Sequence, residues 1–442
     1  MQYTETGKTW TKLSLISGHA QRDHTLKFIS LAHLLDVEYL RDCYQSLNRN
    51  RAVGIDNISW EEYGANLDEN LAQLVSRLKR KKYKPLPARR VYIPKNEKET
   101  RPLGIPALEN KIVERGITWI LESIYEQDFL DCSYGFRPKR NCHQALKQLD
   151  ALIMSQPVNH IVEADIKGFF DTVDHDKLME FIRIRISDTA LLNLISKFLK
   201  AGYIDNGQLV KSDKGTPQGS ILSPMLANIF LHYVLDEWFE ATVKSHARGF
   251  CELVRYADDF VCVVRYAGDA ERIEQALKNR FSKYGLEIHP TKSQRMSFGC
   301  FERENAERQN RKPNTFDFLG FTHYCDVSRK GNLKLGRKTS RKKFSAKCRE
   351  MNKWLRAIRN LVKTKDWWKT LAAKMRGHYQ YYGVSENYLS IMKFYKLTIK
   401  MVRKWLNRRS QKSKMSWERF TEYLEHYPLP KPKIVHRFYD VG

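Results

Sequence analysis

Two aspartates, Asp258 and Asp259, stand side by side in the stretch Leu253–Val264, between two runs of β-forming residues. The pattern predicts a hairpin with an acidic turn, flanked by Tyr256 and Phe260 and by the apolar run Val261 to Val264. Adjacent carboxylates against apolar strands are costly unless something compensates their charge. Two hard divalent cations, held close together by carboxylate oxygens, would do so. They would also activate an attacking hydroxyl and stabilise a leaving phosphate oxygen. Such a site needs a further carboxylate from another strand. Asp165 is the candidate, because it ends the strand-like run His160–Asp165 and precedes Ile166-Lys-Gly-Phe-Phe170. Taken alone, Asp258-Asp259 is more commonly an ordinary polar turn.

Other segments add weight. Lys214-Gly-Thr-Pro-Gln-Gly-Ser-Ile-Leu-Ser-Pro224 sets Gly, Pro and Gln just before a helix N-terminus. Exposed N–H groups and backbone without Cβ bulk suit close approach of a nucleotide or a template strand, although the same run also reads as a simple capping loop. Lys95 and Arg101 flank a basic tip suited to a triphosphate, and as a pair they are also what a solvated charged tip contains. Leu286-Glu-Ile-His-Pro-Thr-Lys292 offers a further cation near the chemistry, or a surface lysine.

These residues require elements to position them. Apolar spacing through Leu31, Leu34, Leu35, Val37, Leu40 and Tyr44 predicts a helix over 27–48. A second helix runs through Leu67, Leu71, Leu74 and Leu78 into the basic run Lys79 to Lys84, which Pro85 and Pro87 close. Arg89–Pro94 and Arg101–Pro106 read as a β-hairpin with a charged tip, and 107–129 as a helix. Asp174 is the expected N-cap of a helix through Leu178, Phe181 and Ile182, and Pro224 opens another through Leu226, Ile229 and Phe230. After Cys325 the pattern is helical, basic and rich in Trp and Tyr. The expected fold class is α+β: a catalytic body with a β-sheet, followed by an α-helical basic module.

The charge balance narrows the partner. The 442 residues carry 77 Lys and Arg against 50 Asp and Glu, a net +27. From Asp326 onward there are 31 Lys and Arg and 8 Asp and Glu, +23 in 117 residues, which leaves +4 (27 − 23) for the first 325. Such a surface suits a polyanion, because each neutralised phosphate releases condensed counterions. In the cationic run from Arg337 to Lys347, the residues Arg337, Lys338, Arg341, Lys342 and Lys343 are candidate RNA contacts. The aromatics that follow, among them Trp354, Trp367, Trp368, Tyr379 and Trp405, are expected to be mostly core. No run is apolar enough to span a bilayer, and no secretory leader is expected from the polar stretch Met1 to Trp10. The eight cysteines include no Cys-x-x-Cys pair, so reduced thiols are expected rather than a zinc site or a disulfide framework.

In this order the segments resemble the reverse transcriptase/maturase proteins encoded by bacterial group II introns, in a form without the C-terminal endonuclease domain. The matching runs are Arg101–Pro106, Ser133-Tyr-Gly-Phe-Arg-Pro138, Glu163–Asp171, Gly215–Gly219 with Ile221–Pro224, Arg255–Phe260, Phe316–Phe321 and Arg376-Gly-His-Tyr-Gln-Tyr-Tyr-Gly383. They cover roughly residues 30 to 410; each is weak alone, and their shared order is specific.

The resemblance implies a right-hand-like polymerase. Residues 1–85 would form an N-terminal extension, with its template-supporting segment around Gly54-Ile-Asp56, and the start of the fingers. Residues 86–325 would form fingers and a β-sheet palm, and 326–410 an α-helical thumb or maturase domain. Residues 411–442 would be a basic tail in the place of a reduced DNA-binding segment. It implies that Asp165, Asp258 and Asp259 bind two Mg2+ ions, with Mn2+ an alternative, and that Ile166 belongs to the metal- and substrate-binding positions. Lys95 and Arg101 would hold the triphosphate of a dNTP and Gln218 the nucleotide or templating pair. Phe170 would be the gate against a ribose 2′-hydroxyl, with Phe169 in the core, and Lys292 would protonate pyrophosphate. Phe316, Leu319 and Gly320 would form the primer grip, and Arg376 would bind RNA.

The implied partners are group II intron-like RNA, an RNA template/DNA primer duplex and a DNA target, within a bacterial, cytoplasmic, nucleoid-associated ribonucleoprotein; monomer and homodimer both stay open. Two departures bear on this. His378 stands where the family more often has Trp, and Ser220 follows Gly219 where many relatives have a second glycine. Two rival readings are a polymerase without a splicing role, in defence, repair or diversification, and a splicing factor that only binds RNA.

Overall fold

The computed structural model describes residues 8–94, 99–211, 213–290, 293–328, 330–409 and 414–438. Its strands, in chain order, are β1 Ala88–Pro94, β2 Thr100–Ile105, β3 His160–Asp165, β4 Tyr203–Asp205, β5 Gln208–Val210, β6 Cys251–Tyr256, β7 Asp259–Val264, β8 Gln294–Ser297, β9 Thr315–Phe318, β10 Phe321–Val327 and β11 Leu333–Thr339. They form three sheets ordered β2-β1-β4-β5, β6-β7-β3-β8 and β11-β10-β9.

The sheet β6-β7-β3-β8 is covered on both faces, which is why its strands read as continuous apolar runs. Alternate residues point to opposite sides. Ile161, Val261 and Val263 pack with Leu146, Leu149 and Ile153 of the helix Cys142–Ser155. Val162, Ala164, Phe260 and Cys262 pack with Ile273, Leu277 and Phe281 of the helix Ala267–Lys283. The predicted β1–β2 hairpin is present, with Arg89 opposite Ile105 and Ile93 opposite Arg101. The helix Leu108–Tyr125 follows it, and Asp174 caps the helix His175–Arg185 by accepting the amides of Asp176 and Lys177.

Three expectations are corrected. The helix over 27–48 is confined to Val37–Ser46, after a 3-10 turn at Ala32–Leu34. The Asp188 carboxylate accepts the amides of Leu31 and Ala32 at 2.6 and 2.7 Å, and Asp36 accepts the amide of Tyr39 at 2.9 Å. These bonds compete with the helical ladder and delay its start. Second, the chain after Cys325 is not helical at once: β10 runs through it and β11 follows, so a boundary at 325 cuts a strand. Third, the helices Lys8–Arg22, Cys142–Ser155 and Thr189–Leu199 had no counterpart in the sequence reading.

β11 decides the fate of one predicted RNA contact. Arg337 is fully buried there, ion-paired with Asp150 of the helix Cys142–Ser155 and with its guanidinium 4.6 Å from the Phe438 ring centre. It ties the third sheet to the body and is out of reach of a nucleic acid. Lys338, Arg341, Lys342, Lys343 and Arg376 are exposed.

The helices Arg341–Ile358, Thr364–Tyr382, Tyr388–Leu406 and Trp417–His426 share a core of their own, built on Met351, Leu355, Trp367, Leu371, Phe394 and Trp405. As expected, the aromatics of this region belong mostly to that core. The segment after His426 returns to the bundle, where Val435 and His436 donate their amides to the Gly383 carbonyl at 2.6 and 2.9 Å.

His378 is buried at 3.9 Å between ring centres from Phe394, and neither ring nitrogen has a hydrogen-bond partner. It therefore fills the place of an apolar ring. Burial, with a smaller push from Lys347, lowers its pKa to about 4. A depressed histidine contributes stability that is present above pH ~6.5 and lost as the pH falls through about 4. Urea unfolding of His378→Phe against the wild type should show equal pH dependence above 6.5. Below it, an advantage to the variant should grow, on the order of 2 kcal/mol at pH 4. A constant difference across this range would refute the assignment.

Candidate active site

The β3–β7 pairing sets Asp165 directly opposite Asp259. Both continue rows whose inner members, Ile161 and Val261, face the helix Cys142–Ser155, so the two carboxylates lie on the same side of the sheet. β6 and β7 pair as far as Tyr256 opposite Asp259, which leaves Ala257 and Asp258 as a two-residue turn. Asp165 is anchored through its backbone: its amide donates to Ser293 Oγ at 3.2 Å and its carbonyl accepts the His289 amide at 2.8 Å. Ile166 is buried and bridged to Ile288, so only its main chain has an oxygen to offer.

The turn is held in a conformation it would not adopt alone. Ala257 has φ +59°, a left-handed value costly for a residue with a Cβ. Behind it lies Gly135, where a Cβ would fall 2.3 Å from the Ala257 nitrogen; only glycine allows that approach. Arg255 completes the support. Its fully buried guanidinium binds Asp236 through Nε at 2.7 Å and Nη2 at 2.5 Å, Ser133 Oγ at 2.7 Å, Asn228 Oδ1 at 3.2 Å and the Ala257 carbonyl at 3.0 Å. The run Ser133–Pro138, for which the sequence offered no role, is thus the clasp of the acidic turn. Arg137 stiffens it by donating to the carbonyls of Leu130 and Ser133.

The glycine-rich loop is pinned at both ends. Gly215 donates to the Val173 carbonyl at 2.7 Å and Thr216 to the Phe170 carbonyl at 2.6 Å. Gly215 has φ +84°, and a Cβ there would lie 2.7 Å from the Phe170 oxygen. At the other end Gly104 of β2 donates to the Gln218 carbonyl at 2.6 Å, and the Glu114 carboxylate accepts the Ile221 amide at 2.8 Å. Burial raises the Glu114 pKa to about 7 against the pull of the Ile221 amide and the Ser220 hydroxyl. Phe170 is half-buried and Phe169 is core, as expected. Arg101 is exposed on β2; Lys95 and Lys292 lie outside the described residues.

A second cluster joins two further motifs. Leu319 and Gly320 form the β9–β10 turn, where Tyr381 Oη donates to the Leu319 carbonyl at 2.9 Å and the Ser340 amide to the Gly320 carbonyl at 3.0 Å. Phe316 is not available to a primer: it is buried and stacked on His323 at 4.8 Å. Glu163, two residues before Asp165, was passed over by the sequence reading. Its pKa is raised to about 7 by burial and then by the charges of Asp317 and Asp165, with Gln294 donating to it at 2.9 Å.

The donors fit a hard cation, since Asp165, Asp258 and Asp259 offer carboxylate oxygens from neighbouring backbone positions. Among the described residues, no three His, Cys, Asp or Glu side chains converge into a ready cage. Magnesium commonly takes the rest of its ligands from water and substrate phosphate.

Paired carboxylates beside a glycine-rich loop are how a templated nucleotidyl transferase is built, and the chain belongs to the reverse-transcriptase family. The family model "Reverse transcriptase (RNA-dependent DNA polymerase)" matches residues 93–323, 231 of the 442. Among curated relatives it is similar to the group II intron-encoded protein LtrA of Lactococcus lactis subsp. cremoris, 42% identical over 228 residues, covering 51% of this chain and 37% of that protein. It is also similar to the protein YkfC of Escherichia coli (strain K12), 37% identical over 240 residues, 48% of this chain and 63% of the relative. The mitochondrial "Nuclear intron maturase 1" of Arabidopsis thaliana is 30% identical over 97 residues, 22% of this chain and 13% of that protein. The chain therefore spans less than two thirds of the length of each. Among the described residues no helix is long and apolar enough to cross a membrane.

Proposed function

We propose that the protein is an RNA-directed DNA polymerase that binds group II intron-like RNA, assists its splicing as a maturase and copies it into cDNA during retrohoming. One observation carries the reading: Asp165 opposite Asp259 and next to the Asp258 turn, with the loop of Gln218 hydrogen-bonded to the carbonyl of Phe170. Two divalent ions, magnesium with manganese as an alternative, supply the charge that activates a primer 3′-hydroxyl and stabilises the leaving pyrophosphate.

Asp165, Asp258 and Asp259, with the main chain of Ile166, hold that charge in place. Arg101 and Lys95 bind the triphosphate, and Lys292 protonates pyrophosphate. Gln218 lies against the nascent pair, and the Leu319–Gly320 turn grips the primer. In right-hand terms, the sheet β6-β7-β3-β8 is the palm, the β1–β2 hairpin belongs to the fingers and the C-terminal helices are the thumb. The exposed Lys338, Arg341, Lys342, Lys343 and Arg376 support a grip on an A-form duplex by phosphate and shape. The working setting is a cytoplasmic, nucleoid-associated ribonucleoprotein of a bacterial cell.

Primer extension on an RNA template with dNTPs and magnesium tests the polymerase; no extension above a metal-free control would end that reading. Splicing of intron-like RNA at low magnesium, with and without the protein, tests the maturase. Phe170 gives a sharper test. Phe170→Ala is expected to raise ribonucleotide against deoxynucleotide kcat/KM on the order of tenfold or more while altering dNTP use far less. An unchanged ratio would remove Phe170 from the gate.

A further inference from the structure

A cavity of about 160 Å3 lies under the segment 49–60, away from the carboxylates; none of Asp165, Asp258 and Asp259 lines it. Four cations do: Arg49, Arg51, Lys111 and Arg115, together with Trp60 and Ile221. No carboxylate is part of the lining, and among the described residues none of the four cations makes an ion pair. The acidic groups acting on these cations are Asp56 and Glu114 on Lys111 and Glu122 on Arg115, and Glu114 is engaged by the Ile221 amide.

The cations are held in place rather than waving in solvent. Lys111 is more than nine-tenths buried, and its Nζ donates one proton to the Ala52 carbonyl at 2.7 Å, leaving two. Arg115 Nε is buried without an acceptor. The Arg49 guanidinium sits 4.5 Å over Trp60, and the Trp60 ring stacks on Tyr44 at 4.5 Å and 10°. Like charges gathered in a partly enclosed space oppose one another, and a buried donor without an acceptor carries its full desolvation cost. A tetrahedral oxyanion relieves both. The space, about 160 Å3, has room for a phosphate group.

We propose that this cavity binds a phosphate group and thereby clamps the segment 49–60 onto the helix Leu108–Tyr125. The same helix carries Glu114, the anchor of the loop that bears Gln218. Lys111, Glu114 and Arg115 are neighbours at i, i+3 and i+4 on that helix, so the bound anion and the loop are held by one turn. The phosphate comes either from solution or from the backbone of a bound RNA. Binding does not depend on the polymerase reading; only its consequence for the loop of Gln218 does.

Thermal unfolding of the full chain in inorganic phosphate, against chloride at equal ionic strength, tests the first source. A saturable rise in Tm of a few degrees is expected, lost in both Arg115→Gln and the exposed Arg51→Gln. RNA oligonucleotides carrying single methylphosphonate linkages test the second. One linkage should weaken binding about fivefold or more in the wild type and not in Arg51→Gln. A phosphate response that survives in both variants overturns the proposal. So does the absence of both the phosphate response and any linkage effect that Arg51→Gln removes. Neither readout uses polymerase activity, so its failure and the failure of the polymerase reading are separable.

Discussion

Asp258→Ala is expected to abolish templated synthesis while the protein stays folded. On the proposed metal-holding role, loss of this carboxylate removes several kcal/mol of transition-state stabilisation, so extension on an RNA template should fall on the order of 10³-fold or more. Fold stability should change little, because Asp258 lies in the two-residue turn between β6 and β7 rather than in a core position. The same loss is expected for Asp165→Ala and Asp259→Ala. The measurements are single-turnover primer extension and urea unfolding on the same preparations. Extension by Asp258→Ala within tenfold of the wild type would sink the active-site assignment.

Arg255→Met should damage both stability and rate, and a double variant separates the two. Arg255 and Asp236 are both fully buried and joined by two hydrogen bonds. Truncating one partner strands the other charge, which costs about 3–5 kcal/mol. Replacing both, as in Arg255→Met with Asp236→Leu, removes the stranded charge and should restore most of that stability, since a buried ion pair is often matched by apolar packing. The double variant should still synthesise DNA poorly. It lacks the bonds from Arg255 to the Ala257 carbonyl and Ser133 Oγ that hold the strained turn. We expect kcat to fall on the order of tenfold or more with little change in nucleotide KM, the signature of an interaction realised at the chemical step. Wild-type kcat in a stable double variant would show that Arg255 is purely structural.

The elements that carry the candidate site were legible where their signals are local. A two-strand pattern around Asp258-Asp259, a run ending at Asp165 and a Gly-Pro-Gln loop before a Pro-started helix are short-range signals, and β3, β6, β7 and the helix Ser223–Leu231 stand where those signals put them. The β1–β2 hairpin was legible for the same reason. The cationic tail misled at Arg337 because charge in a sequence carries no information on burial. Only the pairing of β11 with β10 turns that side chain toward Asp150 rather than toward solvent. Phe316 failed likewise, since alternation along β9 sends it inward with Phe318. The late start of the helix Val37–Ser46 depends on Asp188, more than 150 residues away.

The sequence by itself determined the inventory: which carboxylates, glycines and cations exist, their order, and the local turns and strands that carry them. Those follow from side-chain type, hydrophobic period and turn chemistry, all of which act over a few residues. The tertiary structure alone decided what meets what. The β3–β7 register sets Asp165 opposite Asp259. Gly135 and Arg255 hold Ala257 at a positive φ. Arg49, Arg51, Lys111 and Arg115 converge on one cavity. These are contacts between distant parts of the chain, selected by the burial of shared apolar faces, and that selection is a property of the packed whole rather than of any one segment.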